Sequence, residues 1–212
     1  MAYQIRISPN ALRAAAERHL TVTAAVDEAT ARLSNLVTAL NAAWDGGASN
    51  EALSTMREIR EAIANISEGT AGHADKLKRI AEAFEALDES GTPSGIAIMT
   101  DFTLPPLVGP GGMLRKFNWF LQNTLRIVPD EVRQVADQCR HISNELQETA
   151  HKLKADVDGL AADWEGRSYD RFAAQSHEMI AAFRHGAERL DQFADTIARA
   201  ADRYEALDNS LA

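Results

Sequence analysis

Asn41-Ala42-Ala43-Trp44-Asp45-Gly46-Gly47-Ala48 decides the architecture of this chain, because it interrupts a long helical pattern and it occurs twice. The second occurrence is Ala161-Ala162-Asp163-Trp164-Glu165-Gly166-Arg167-Ser168, offset by 120 residues in the numbering. Each holds a Trp-acid-Gly tripeptide, and glycine lets a chain reverse there at low steric cost. Working outward at the same offset, Ile7 falls on Ile127, Pro9 on Pro129, Arg13 on Arg133, and Leu33 on Leu153. Val37 falls on Val157 and Leu40 on Leu160, while Phe84-Glu85-Ala86-Leu87-Asp88 falls on Tyr204-Glu205-Ala206-Leu207-Asp208. No insertion or deletion breaks the match, so the chain reads as an internal duplication.

Within each copy the apolar period is helical. Val132, Val135, Cys139, Ile142, Leu146, Leu153, Val157, Leu160 and Trp164 recur at steps built from three and four. After the tripeptide, Phe172, Met179, Phe183, Leu190, Phe193, Ile197, Tyr204 and Leu207 continue the stripe. Met56, Ile59, Ile63, Ile66, Leu77, Ile80 and Phe84 hold the same seam in the first copy. Such a seam suits nearly antiparallel, gently supercoiled helices. Ser8-Pro9 and Pro129-Asp130-Glu131 are helix starts, with a capping hydroxyl, prolines for the first helical position and acids in a first turn. The expected helices span about 9–43, 48–90, 129–163 and 168–211, with a soft spot at Gly69 and Gly72. Abundant Ala and few aromatics agree with helices rather than sheet. The expected fold is all-α: two antiparallel helical hairpins, residues 1–90 and 129–212, forming an intramolecular four-helix bundle.

Residues 91–128 differ. Pro93, Pro105, Pro106 and Pro110 lie here, yet Phe102, Leu104, Leu107, Val108, Met113, Leu114, Phe117, Trp119, Phe120 and Leu121 make the linker apolar. It is expected to pack on the bundle, with a short helix near 112–124. Its length points to head-to-tail hairpins. A helix of roughly 35 residues is ~50 Å long, and roughly 38 linker residues can extend beyond ~120 Å. Hairpins packed in the same sense would need only a short loop.

Several function classes are disfavoured. The net charge of −9 argues against nucleic acid, whose phosphates are met by Lys and Arg, and against adsorption to anionic lipid. One cysteine, Cys139, leaves no disulfide framework and no thiolate metal cluster. No stretch reaches the ~18 apolar residues of a membrane span. Arg13, Glu17 and Arg18 interrupt the start, so any export is expected to use a route other than the general signal-peptide pathway. The carboxylates are spread over solvated helix faces, and no phosphate-cradling glycine loop or activated nucleophile is present. No enzyme, no cofactor and no metal site are expected. His19 and His73 fall opposite each other about Gly46, where the second copy has Cys139 and Phe193. They read either as partly exposed, satisfied imidazoles or as a pH-sensitive layer.

Two Trp-acid-Gly turns on heptad hairpins, followed some forty residues later by an aromatic-x-x-x-Asp, resemble the WXG family. These are small helical hairpins of about a hundred residues exported by type VII (ESX) secretion systems. The resemblance covers both repeats, nearly the whole chain apart from 91–126. Members usually form antiparallel dimers of two hairpins, so this chain resembles such a dimer fused into one polypeptide. In the family a Tyr-x-x-x-Asp/Glu motif after the second helix acts as an export signal together with the partner's Trp-x-Gly turn. An FtsK-type ATPase of the membrane machine reads both.

By that resemblance Tyr204 and Asp208 are the secretion signal, and Trp44 with Gly46, and Trp164 with Gly166, are the hairpin turn motifs. Phe84 and Asp88 form a degenerate signal, since Phe84 lacks the hydroxyl. The residues also permit structural roles: both tryptophans lie on seams as core plugs, and Tyr204 is a seam ring, whereas Asp208 has no seam position. The resemblance implies a substrate that is cytoplasmic before export and then secreted or at the surface of a Gram-positive bacterium, an actinobacterium. It leaves open a co-secreted effector, or a role as adaptor or chaperone for a larger toxin.

Overall fold

In the computed structural model of the protein, residues 6–90 and 124–211 are described. Four long helices account for most of them: α1 (Pro9–Ala43), α2 (Gly47–Ser90), α3 (Pro129–Gly159) and α4 (Arg167–Leu211). A 3₁₀ turn, Leu160–Ala162, finishes α3. The expected all-α, two-hairpin architecture is the one observed.

Local chemistry sets the helix ends. At the start of α1, Ser8 is extended and its hydroxyl accepts from the Ala11 amide at 3.3 Å, with Pro9 in the first turn. That satisfies one of the amides a helix start leaves without a partner. At the other end Trp44 turns extended, with φ −143° and ψ 125°, while its amide still bonds the Leu40 carbonyl. The helix therefore stops where the tryptophan leaves it. Gly46 and Gly166 then take φ of 119° and 121°, the two positive φ values among the described residues. Side chains other than glycine's avoid that region, which is why each tripeptide ends in glycine.

Each hairpin buries one helical face against the other. From α1, Leu12, Val26, Leu33 and Leu40 are fully enclosed, as are Met56 and Leu77 from α2. Leu146, Leu153, Val157, Phe183, Leu190, Phe193 and Ile197 are buried in the second hairpin. Burying a side chain of this size contributes ~1.5–3 kcal/mol, and one continuous core runs through both hairpins. The hairpins lie head to tail. Arg18 pairs with Asp156 at 2.8 Å and Arg32 with Glu145 at 2.6 Å, so numbers rise along α1 as they fall along α3. Between α2 and α4, the Thr70 hydroxyl meets Met179 Sδ at 3.4 Å and Ser176 Oγ meets His73 Nδ1 at 3.2 Å. A groove of about 380 Å³ opens between those two helices, bordered by Ile59, Ala62, Ile66, Ala182 and Gly186.

Four short strands were not expected from the periodicity. β1 (Arg6–Ile7) pairs with β4 (Trp164–Glu165), and β2 (Trp44–Gly46) pairs with β3 (Thr124–Ile127), both antiparallel. Thr124–Ile127, taken in the sequence as the end of the linker, is thus hydrogen-bonded to the first hairpin's turn. The remainder of the expected apolar linker and most of its short helix, residues 91–123, lie outside the described residues. α2 runs through Gly69 and Gly72 without interruption.

Candidate functional site

The two ends of the bundle are built alike, because the segment leading into each hairpin clips onto the turn of the other. At one end Ile7 lies opposite Trp164, and the Ser8 amide donates to the Asp163 carbonyl at 2.9 Å. At the other, Ile127 lies opposite Trp44, and the Val128 amide donates to the Ala43 carbonyl at 2.8 Å. These are the same contacts displaced by 120 residues. Both tryptophans become core plugs, Trp44 at 1% exposure and Trp164 at 0%. The Trp164 indole donates to Ser168 Oγ at 3.0 Å and packs on Phe172 and Tyr169 at ring-centroid distances of 5.3 and 5.9 Å. Below Trp44, the Ser49 hydroxyl bonds the Trp44 carbonyl at 2.6 Å, and the Gly46 amide bonds Asp45 Oδ1 at 2.8 Å.

The head-to-tail arrangement brings the end of α4 to the Trp44 end. The link runs from β2 to β3, from β3 into the first turn of α3, and from there to α4 through Arg133, which pairs with Asp202 and Glu205. Tyr204 is half-buried against the core, whereas Asp208, one turn later, is exposed. Leu207 was expected on the seam but is 43% exposed. The seam outruns its partner: α3 begins at Pro129, only one turn before Arg133, so α4 projects past it. At the opposite end Phe84 is half-buried like Tyr204, and Asp88 lies in the last turns of α2. Tyr204 and Asp208 therefore share an end with Trp44 and Gly46. Phe84 and Asp88 share one with Trp164 and Gly166.

Arg133 is the residue that the motif reading did not single out. Its guanidinium meets Asp130 at 2.9 Å, Asp202 at 3.0 Å and also Glu205. Hydrogen bonding to Glu205, then to Asp202, holds the guanidinium more firmly protonated than usual. The duplicate carries the equivalent pair, Arg13 with both carboxylate oxygens of Glu85. That bond, ahead of the attraction between the charges, lowers the Glu85 pKa below the ordinary carboxylate value. The signal was available in the sequence: Arg13 and Glu85 superpose on Arg133 and Glu205 at the offset of 120.

His19 and His73 correct an expectation. Rather than partly exposed, both are 0% exposed, their rings stacked at 6.1 Å with Phe172 tilted against them. Folding about Gly46 faces the two rings across the interior, and the second hairpin covers them. His19 Nδ1 lies 2.9 Å from the Ala15 carbonyl, which makes it the protonated nitrogen, and Nε2 has no hydrogen-bond partner. Desolvation lowers the pKa of both, that of His73 to about 3. Desolvation also raises the Cys139 thiol to about 12, which keeps it in the unreactive protonated form. Among the described residues no group of three or more His, Cys, Asp or Glu could hold a metal ion, and no helix is long and apolar enough to cross a membrane.

The family model WXG100, described as proteins of 100 residues with WXG, matches residues 4–89 and again residues 124–209. The chain belongs to the WXG100 family. It carries two copies of the family's unit, and the tandem organisation seen in the sequence is that of a double WXG100 protein. The family is associated with type VII secretion and export. Its members are small helical proteins rather than enzymes as a rule. No curated protein and no solved structure matches the chain.

Proposed function

We propose that this double WXG100 protein is a non-enzymatic substrate of a type VII (ESX) system, a single-chain equivalent of the family's two-hairpin dimer. The FtsK-type ATPase of the machine would recognise Tyr204 and Asp208 beside the Trp44–Gly46 turn. One observation carries the reading: exposed Asp208 and half-buried Tyr204 lie at the same end of the bundle as Trp44. A carboxylate and a phenol one turn apart project from one helix face, and no packing role explains Asp208. The opposite end repeats the scaffold with Phe84 in place of the tyrosine, so recognition has a direction. Before export the protein is cytoplasmic, and afterwards it is secreted or held at the cell surface.

Asp208→Ala tests the reading, because an exposed residue near a helix end can be changed with little cost to the fold. The variant is expected to accumulate in lysate and vanish from culture supernatant, with an unchanged helical signal. Normal export of a folded Asp208→Ala chain refutes the assignment.

The second reading, an adaptor for a larger toxin, draws on the apolar groove between α2 and α4. An adaptor would stay in the cell when its cargo is absent. A stand-alone substrate would leave without it.

A further inference from the structure

We propose that Arg133 is a positioning residue for the C-terminal signal: from α3 it holds the end of α4 helical, so that Tyr204 and Asp208 are presented in register. The inference rests on the secretion reading above. It starts from the contacts that hold that end. Among the described side chains of α4 after Ala201, Tyr204 packs against the core and Glu205 through Asn209 are exposed. The last four carbonyls of a helix have no partner within it, so an overhanging end frays. Register matters to a motif read across one turn: when the helix unwinds after Glu205, Asp208 leaves the face it shares with Tyr204.

Arg133 ties this end to α3. It bonds Asp202 at 3.0 Å and Glu205 as well, so it spans α4 on both sides of Tyr204 in the sequence. One guanidinium with its fork of donors can hold two carboxylates on successive positions of a helix face at once, which a lysine ammonium cannot do with the same geometry. Exposed ion pairs taken singly contribute little, but a three-carboxylate network around one arginine is the arrangement in which they count. The third carboxylate, Asp130, belongs to the first turn of α3 and fixes the arginine from its own helix. That first turn is in turn bound to the Trp44 side through the Val128 amide and the Ala43 carbonyl. Arg133 therefore connects the two halves of the composite epitope, the Trp44 turn and the tyrosine-bearing helix.

The duplication supplies a matched control. Arg13 grips Glu85 at the other end of the bundle in the equivalent position, but there the preceding residue is Phe84. A merely structural arginine would act alike at both ends.

The experiment compares Arg133→Ala, Arg13→Ala, Arg133→Lys and Asp208→Ala in the full-length protein. Three quantities are read: amide exchange over 202–209, the melting temperature, and the fraction exported. For Arg133→Ala, exchange over 202–209 is expected to rise about threefold or more, with export strongly reduced and melting little changed. Arg133→Lys should fall between it and the wild type in both exchange and export. Arg13→Ala should melt like Arg133→Ala and be exported normally. Equal export of the two arginine-to-alanine variants overturns the positioning role, as does normal export of Arg133→Ala while Asp208→Ala is retained. Normal export of Asp208→Ala brings down the signal itself, and is a separate failure. Unchanged exchange over 202–209 in Arg133→Ala also overturns the proposal, whatever export does.

Discussion

Removing either plug tryptophan should injure the fold to a similar degree, but only one removal should injure recognition. Trp44 and Trp164 occupy the same position in the two repeats, with 1% and 0% exposure. Truncating a buried tryptophan to alanine costs ~3–5 kcal/mol, through lost transfer energy and the cavity left behind. Trp164 also loses its bond to Ser168 Oγ and its contacts with Phe172 and Tyr169. A neutral hydrogen bond is worth ~1 kcal/mol and an aromatic pair ~0.5–1.5 kcal/mol, so Trp164→Ala belongs at the upper part of the range. At ~2–4 °C per kcal/mol for a chain of this size, each variant should melt about 6–20 °C below the parent. The assay pairs thermal melts followed by circular dichroism with the ratio of supernatant to lysate, at a temperature where both variants are folded. Trp44→Ala should lose export, and Trp164→Ala should largely keep it. Equal export defects would refute the reasoning, since stability alone would then explain both.

Two further outcomes follow from the histidine layer and from the second hairpin turn. The His19–His73 layer makes stability fall with acid: folded-state pKa values below the ordinary 6.5 mean that the unfolded chain binds protons more readily. The contribution is intact above pH 6.5 and is lost as pH drops toward the folded value, about 3 for His73. At pH 5 the His73 ring should cost about 2 kcal/mol, and His19 adds a cost of the same sign; a His19→Gln/His73→Gln chain should show a flatter dependence of denaturant midpoint on pH between 6.5 and 5, and an unchanged slope contradicts the burial argument. Gly166→Ala should destabilise by ~1–3 kcal/mol although a Cβ there would meet nothing within 4 Å, because φ of 121° is the whole obstacle. Asn should rescue little, since its tolerance is for φ near +57°; a Gly166→Asn chain as stable as the parent in a thermal melt would show the turn relaxing.

Much of this molecule was legible in its sequence for physical reasons. A stripe such as Leu146, Leu153, Val157 and Leu160 states which face is buried, and the offset of 120 repeats that statement independently. The grouping of Tyr204 with the Trp44 turn followed from the head-to-tail packing that the long linker implied. What stayed hidden depended on contacts between segments far apart in the chain. Arg6–Ile7 and Thr124–Ile127 are too short for a period-two pattern to register, and their partners are set by the bundle. Opposition of His19 and His73 could be read from their equal distance to Gly46, but not their complete enclosure. Phe172 and Ser176, which close over them, come from the other hairpin. Leu207 fits the seam in sequence, yet periodicity carries no information about where the neighbouring helix starts.

The reciprocal strand clips have a consequence for synthesis on the ribosome. Each clip joins a turn to a leader from the opposite repeat, so neither hairpin can finish its own end. The edge of Trp44–Gly46 exists long before Thr124–Ile127 emerges to pair with it. At ~5–20 residues per second, the wait is about 4–16 s. During that interval the first hairpin carries an open backbone edge and a bare apolar face, the state in which nascent chains stick to one another. Joining the halves in one polypeptide ensures that the first partner to reach that edge is the chain's own second half.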